Sequence, residues 1–309
     1  MINIHKVKTY SLKQRQSKVG LADFAKAPKK GRTFRQFCQS LPRVLRAKDF
    51  TALVEAVVRA RKKKKAVIFM AGAHVIKCGL NPVVIELLRK KIITCVVLNG
   101  AGVIHDFELG FQGKTSEDVG ENLKYGKFGM GRETAEFINN AVNDGVADGL
   151  GFGEAFASRL SKAKLPHKNL SLIYNAYKYK IPVCVQVAIG TDIIHQHVSF
   201  NGARCGEGST RDFYQLTESI RGLNNGGVVI NFGSAVILPE VFLKALNLCR
   251  NLGFKVKDFT TANFDMFYQY RPAQNVVSRP VEAGGKGYYI IGHHEIMLPM
   301  LAQAVLDKI

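Results

Sequence analysis

The chain of 309 residues has no tryptophan, and its 24 carboxylates face 44 lysines and arginines. No apolar run approaches the length that crosses a bilayer. The opening residues, MINIHKVKTYSLKQRQSKVG, are basic and lack the apolar stretch of a secretory leader. The expectation is a cytoplasmic protein without a membrane segment. Six cysteines, Cys38, Cys78, Cys95, Cys184, Cys205 and Cys249, are scattered with no CxxC pair. That argues for buried free thiols over disulfides or a structural zinc site. No HExxH is present and no GxGxxG follows the first strand-like run, so neither a zincin nor a standard dinucleotide fingerprint is spelled out.

What the chain has in excess is positive charge, +20 at pH 7, much of it in HKVKTYSLKQRQSK, KAPKKGR and VRARKKKK. Such a field attracts nucleic acid, an anionic membrane or an acidic protein. The basic runs are not interleaved with aromatics and match no standard recognition module, so a solvated face is the plainer reading and nucleic acid an open one. Residues 1–45 read as a basic, partly irregular N-terminal arm, and residues 46–309 as a single domain.

Within that domain the pattern alternates. DFTALVEAVVRARK reads as a helix with Asp49 as its N-cap, followed by the buried strand KAVIFMAG. In NPVVIELLRKKI, Asn81 caps a helix and Pro82 takes its first turn, before the strand ITCVVLNGAG. GRETAEFINNAVNDGV and GFGEAFASRL follow as helices. NLSLIYNAYKYKIP leads into VCVQVAIG, TRDFYQLTESIRGL into GGVVINFGS, and PEVFLKALNLCRNLGF into KVKDFTTANF. The last helix, HEIMLPMLAQAVLDKI, contains Pro299, which predicts a kink or a shifted start. The rhythm is that of an α/β, doubly wound, mainly parallel sheet with helices on both faces.

Four apolar strands end in small, polar or imidazole residues: VIFMAGAHVIKCG, VVLNGAGVIHDFE, VQVAIGTDIIHQH and VVINFGSAVILPE. Asn99-Gly100-Ala101-Gly102 reads as a tight turn with His105, Asp106 and Glu108 just beyond it. Gly72, Asn99, Asp192 and Ser234 should gather at the carboxyl edge of the sheet, where open α/β sheets bind ligands. Glycines there admit a ligand to the backbone, and the following helix starts favour anions such as a pyrophosphate. His195 and His197, with Cys205 eight residues on, offer a metal as an alternative.

The order of these segments resembles the deoxyhypusine synthase family from about residue 66 to 306. FMAGAHVIKCGL is similar to its first strand and turn, LNGAGVIHDF to its Thr-Ala-Gly-Gly-Val-Glu-Glu-Asp segment, and YKIPVCVQVAIGTDI to its Ile-Pro-Val strand and Thr-Asp-Gly. DFTTANFD, SRPVEAGGKGYYI and HEIMLPMLAQAVL resemble its closing segments. The resemblance implies a Rossmann-like fold and NAD as cofactor. It implies a homo-oligomer, a tetramer with sites between subunits, and transfer of an aminoalkyl group from a polyamine such as spermidine, through a lysine imine, to an acceptor protein's lysine. By motif, Lys286 is the enzyme lysine, His105 stands where the family has an acidic residue, and Glu282 matches its glutamate. Gly72, Asn99, Gly100, Asp192, Gly233, Ser234, Thr261, Ala262 and Asp265 line the cofactor side. The chain departs from the family in having no tryptophan before the lysine, a shorter Arg-Pro to Lys interval and imidazoles in place of acids after Asp192. Two other readings stay open: an NAD-binding, hydrolytic or metal-dependent relative acting on another substrate, and a non-catalytic nucleotide- or RNA-binding protein.

Overall fold

The computed structural model describes residues Met1–Ile309. Six strands, β1 Val67–Ala71, β2 Cys95–Asn99, β3 Val183–Gln186, β4 Val228–Phe232, β5 Phe259–Asp265 and β6 Gly285–Ile291, form one sheet in the order β3-β2-β1-β4-β5-β6. Every pair is parallel. The first three strands step outward in one direction and the last three in the other, so the order reverses between β1 and β4. This is the doubly wound, Rossmann-like arrangement that the sequence rhythm implies. Residues of β1 and β4 are buried throughout, which is why these strands read as unbroken apolar runs.

Both faces are covered. On one, Ile68, Met70, Val97 and Val229 pack with Leu216 and Ile220 of helix Gly202–Arg221 and Phe242 and Leu246 of helix Ile237–Asn251. On the other, Phe69 and Ile230 meet Val57, Leu87, Leu298 and Leu301, from the helices Leu45–Lys62, Asn81–Arg89 and His294–Leu306. No helix is long and apolar enough to cross a membrane. None of the six cysteines forms a disulfide. The chain divides into two compact units, Met1–Thr51 and Ala52–Ile309.

Several local expectations are corrected. The helix around Asp49 begins at Leu45, so Asp49 lies inside it and pairs with Arg46 at 2.6 Å instead of capping. Asn81 is the first residue of its helix. Its amide leaves the backbone and donates to Asp106 at 3.0 Å and to the Leu170 carbonyl at 2.9 Å. No turn follows Asn99, because helix Gly100–Gln112 starts at once and carries His105, Asp106 and Glu108 within it. Helix Gly202–Arg221 starts eight residues before TRDFYQ, capped by the Asn201 side chain at 3.1 Å from the Arg204 N–H. Pro299 lies within an unbroken helix His294–Leu306. As the sixth residue of the helix, it removes the one N–H that would have bonded to the Glu295 carbonyl without ending the helix.

The edge strand β3 is sealed by side chains. Asp212 Oδ2 accepts from the Val185 N–H at 2.7 Å and from the Gly153 N–H at 2.8 Å. Ser209 Oγ donates to the Val185 carbonyl at 3.1 Å and accepts from the Val187 N–H at 3.3 Å. Two side chains of one helix thus stand in for a missing strand, and bare edge groups would otherwise invite another chain. Burial pushes the Asp212 carboxyl up to about 7 against these hydrogen bonds. Its folded pKa lies above its ordinary value, so its contribution to stability is full in acid and lost as pH rises toward about 7. Asp212→Ala should leave two buried N–H groups unpaired and cost about 2–5 kcal/mol in chemical denaturation. Asp212→Asn should keep both acceptor contacts and flatten the loss of stability between about pH 4 and 7. Equal pH slopes in the two proteins would contradict the assignment.

Candidate active site at the carboxyl edge

Register places the site. Ala71 is opposite Leu98 and Phe232, Phe232 is opposite Phe264, Asn99 is opposite Gln186, and Asp265 is opposite Ile291. The last row across the sheet is therefore Gln186, Asn99, Gly72, Gly233, Asp265 and Ile291, with Ser234 one residue beyond. Gly72, Asn99 and Ser234 lie at the carboxyl edge, and the loop after β3 brings Asp192 there against Gly100.

The glycines are occupied by protein, which corrects their expected use as ligand approaches. A Cβ on Gly72 would stand 2.8 Å from the Gly233 carbonyl oxygen. One on Gly100 would overlap the Asp192 carboxylate, and one on Gly233 would overlap His294 Nε2. Gly233 also has φ +68°, the left-handed region that favours glycine. Asn99 caps its own helix, its side chain accepting from the Gly102 N–H at 3.1 Å. The Asp192 carboxylate faces the Ala101 N–H of the same helix start. That helix start already holds an anion, and it is the chain's own.

Asp192 and His195 form a buried pair. His195 Nδ1 accepts from the Gly190 N–H at 3.0 Å and the Asp192 N–H at 3.3 Å, so the ring proton resides on Nε2. Nε2 lies 3.8 Å from Asp192 Oδ2. Neither of these atoms has a hydrogen-bond partner, although both are buried. Burial lowers the His195 pKa and raises the Asp192 carboxyl to about 6. The pair is thus an imidazole held neutral beside a carboxylate that titrates just below neutrality. The nearby Cys205 thiol is pushed up to about 11 by burial and by the Asp192 charge, which makes it a poor nucleophile.

A second cluster sits where the strand order reverses. His294 is buried against Gly233 with Nδ1 unpartnered, and burial lowers its pKa. His74 is exposed, its ring 5.7 Å from that of His294. The helices Ile237–Asn251 and His294–Leu306 both start here, and neither N-cap residue makes a side-chain cap bond. Ser234 Oγ accepts from the Leu238 N–H at 3.2 Å. Under this rim, Asn231 donates to Asn263 Oδ1 at 2.6 Å, leaving Asn231 Oδ1 and Asn263 Nδ2 buried without partners. These two asparagines were not singled out from the sequence. The signal was present, since INF and ANF each place an amide inside a buried strand.

The remaining expected residues do not join the edge. Thr261 and Ala262 are fully buried within β5. Lys286 is the second residue of β6, opposite Thr260, and exposed. Five residues separate it from Ile291 at the carboxyl edge, about 17 Å along a strand. Glu282 is exposed in the turn before β6. His105 is half-buried in its helix, bonded to Thr115 at 2.6 Å and paired with Glu108 at 3.6 Å. His195 and His197 diverge, His197 Nε2 meeting the Gly129 carbonyl at 2.8 Å. No three His, Cys, Asp or Glu residues are grouped as metal ligands would be. Asp265 alone of the more distant expectations keeps its place, at the end of β5.

Gly233→Ala should cost about 1–2 kcal/mol for the left-handed backbone and more for displacing His294. Gly253→Ala is the control, having φ +86° and nothing within 4 Å of its Cβ position. Equal losses for the two in urea denaturation would remove the His294 contact from the account.

No protein-family model matches the chain, and no curated protein matches it by sequence. Several solved structures share its fold. A "putative deoxyhypusine synthase" from Entamoeba histolytica superposes with TM-score 0.56 at 10% identity, covering 90% of this chain and 94% of that one. The apo structure of ArgZ, an arginine dihydrolase from the ornithine-ammonia cycle in cyanobacteria, gives 0.52 at 14%, covering 85% of this chain. A "conserved putative LOR/SDH protein" from Methanococcus maripaludis S2 gives 0.51 at 14%, covering 84% and 69%. The chain spans about a third of the length of ArgZ. At these identities the likeness is one of fold.

Proposed function

We propose that the chain is an NAD-using enzyme that oxidises a small amine at the carboxyl edge of its sheet. The observation that carries this reading is the unpartnered pair Asp192 Oδ2 and His195 Nε2, 3.8 Å apart over the carboxyl ends of β2 and β3. Sheets of this order bind ligands outside the carboxyl ends of their strands, and here the order reverses between β1 and β4. The residues there suit a dinucleotide at one place and not at another. The start of helix His294–Leu306, which has no side-chain cap, offers N–H groups for phosphates beside Gly233, and Asp265 offers an acceptor for a ribose hydroxyl. Gly100 offers nothing, because Asp192 fills it.

When bound, the dinucleotide supplies a hydride acceptor for a carbon next to nitrogen. The chain's own task is to hold the amine and take its proton. The Asp192 carboxylate attracts the ammonium group, which in turn lowers the carboxyl's pKa. Asp192 Oδ2 accepts the proton that frees the nitrogen lone pair, and the His195 Nε2–H stabilises the anion that receives it. Transfer of an aminoalkyl group through an imine on Lys286 requires that lysine from a second subunit, since within one chain it stands at the opposite end of the sheet. The homo-oligomer implied by the family resemblance supports that arrangement.

The test is NADH formation with a panel of amines that includes spermidine. Asp192→Asn should lower kcat/KM by about a hundredfold or more. The wild-type rate should fall as pH drops through about 6, where Asp192 protonates. Lys286→Arg should form NADH but lose the borohydride-trapped adduct, since a guanidinium does not attack. Mixed Asp192→Asn and Lys286→Arg subunits should regain trapping. Full activity of Asp192→Asn would remove the proposal.

A further inference from the structure

Residues Met1–Thr51 form a compact unit of their own. It carries thirteen lysines and arginines against two carboxylates, Asp23 and Asp49. Asp49 is taken by Arg46, and Asp23 turns back to accept from the Gly20 N–H at 3.0 Å. The other twelve cations have no ion-pair partner, so their charge is free to act on something outside the chain.

Part of that charge converges on a built loop. The Lys26 N–H donates to the Ser40 carbonyl at 2.9 Å, and the Arg43 N–H to the Asp23 carbonyl at 2.9 Å. Arg32 Nη2 donates to the Ala27 carbonyl at 2.8 Å. A capping box between Thr33 and Gln36 fixes the short helix Phe34–Cys38. These bonds frame two adjoining cavities. One, of about 330 Å³, is walled by Lys26, Lys29, Lys30 and Arg32 with the amides of Gln36 and Gln39. The other, of about 640 Å³, shares Lys26, Lys29 and Arg32 and adds Phe34, Phe37 and Leu41. The two rings lie 6.0 Å apart, and Phe37 is 42% exposed.

We propose that this loop binds a nucleotide of a single-stranded nucleic acid, with the phosphate among Lys26, Lys29, Lys30 and Arg32 and the base against Phe37. Phosphate and ring are the two halves of single-strand recognition: cations track the backbone and an aromatic face stacks a base. A strand is favoured over a free nucleotide because Lys6, Lys8, Lys13, Arg15 and Lys18, without ion-pair partners, supply in the same unit more cations than one phosphate could use. It is favoured over a bilayer because the binding feature is a concave, amide-lined cavity. The helical pieces before it are three-residue turns, too short to lay an apolar face on a membrane.

The experiment is fluorescence anisotropy of the full chain with a labelled oligouridylate of about twelve nucleotides, titrated at salt from about 50 to 200 mM. Uridine monophosphate and phosphatidylcholine vesicles with and without phosphatidylserine serve as comparison ligands. The Lys29→Ala/Lys30→Ala double variant should weaken RNA binding about tenfold and lower the log–log salt slope by about one. Phe37→Ala should weaken it about fivefold or more while leaving the slope unchanged. Circular dichroism checks that each variant is folded. A silent Phe37→Ala, or vesicle binding as tight as RNA binding, would overturn the site. A monophosphate binding as tightly as the strand would overturn the strand as its ligand.

Discussion

The carboxyl edge depends on how closely two stretches of backbone approach after β1 and β4. The Gly72 N–H donates to the Phe232 carbonyl at 2.9 Å, and the Gly233 N–H to the Phe264 carbonyl at 3.0 Å, so the ladder continues one residue past the strands. Neither position has room for a side chain. Because Gly233 adopts a left-handed conformation, the chain turns into Ser234, whose hydroxyl helps to start the next helix. The space left above Gly233 receives the ring of His294, and with it the first turn of the last helix. One close contact therefore joins the two halves of the sheet, starts one covering helix and seats another.

Three buried carboxylates show how similar electrostatics serve different ends. Asp106, Asp192 and Asp212 are all pushed upward by burial, to about 6, 6 and 7. Asp106 is spent on structure, accepting from Ser171, Leu172, Ile173 and Asn81. Asp212 is spent on the edge of β3. Asp192 alone keeps a buried oxygen without a partner, beside an imidazole nitrogen in the same condition. The count of satisfied atoms, more than the shift itself, separates a site from a scaffold.

Much of the fold was legible in the sequence because parallel strands buried on both faces must be apolar throughout. VIFMA, CVVLN, VCVQ and VVINF could hardly be anything else, and the order of helices between them left few topologies. The carboxyl-edge residues followed from where those runs end. Other features were hidden because contacts between distant residues decide them. Nothing local reveals that Asp192 lies over Gly100, ninety-two positions away, or that Asn81 prefers Asp106 to its own helix start. GGKGYYII, led by its glycines, does not read as a strand, and Lys286 takes its expected role from the family motif alone. In fact pairing begins at Gly285, because β5 supplies hydrogen-bonding partners that compensate for glycine's poor strand preference.

The sealed edge of β3 has a consequence for how copies of this chain can meet. A sheet has two margins, and Asp212 with Ser209 closes one of them, so a further strand could add only beside β6. That margin begins with two glycines and an exposed lysine. Lysine on an open margin discourages an identical margin from docking, since two such strands would bring like charges together as their backbones align. Whatever else Lys286 does, its charge on the open margin works against edge-to-edge extension of the sheet.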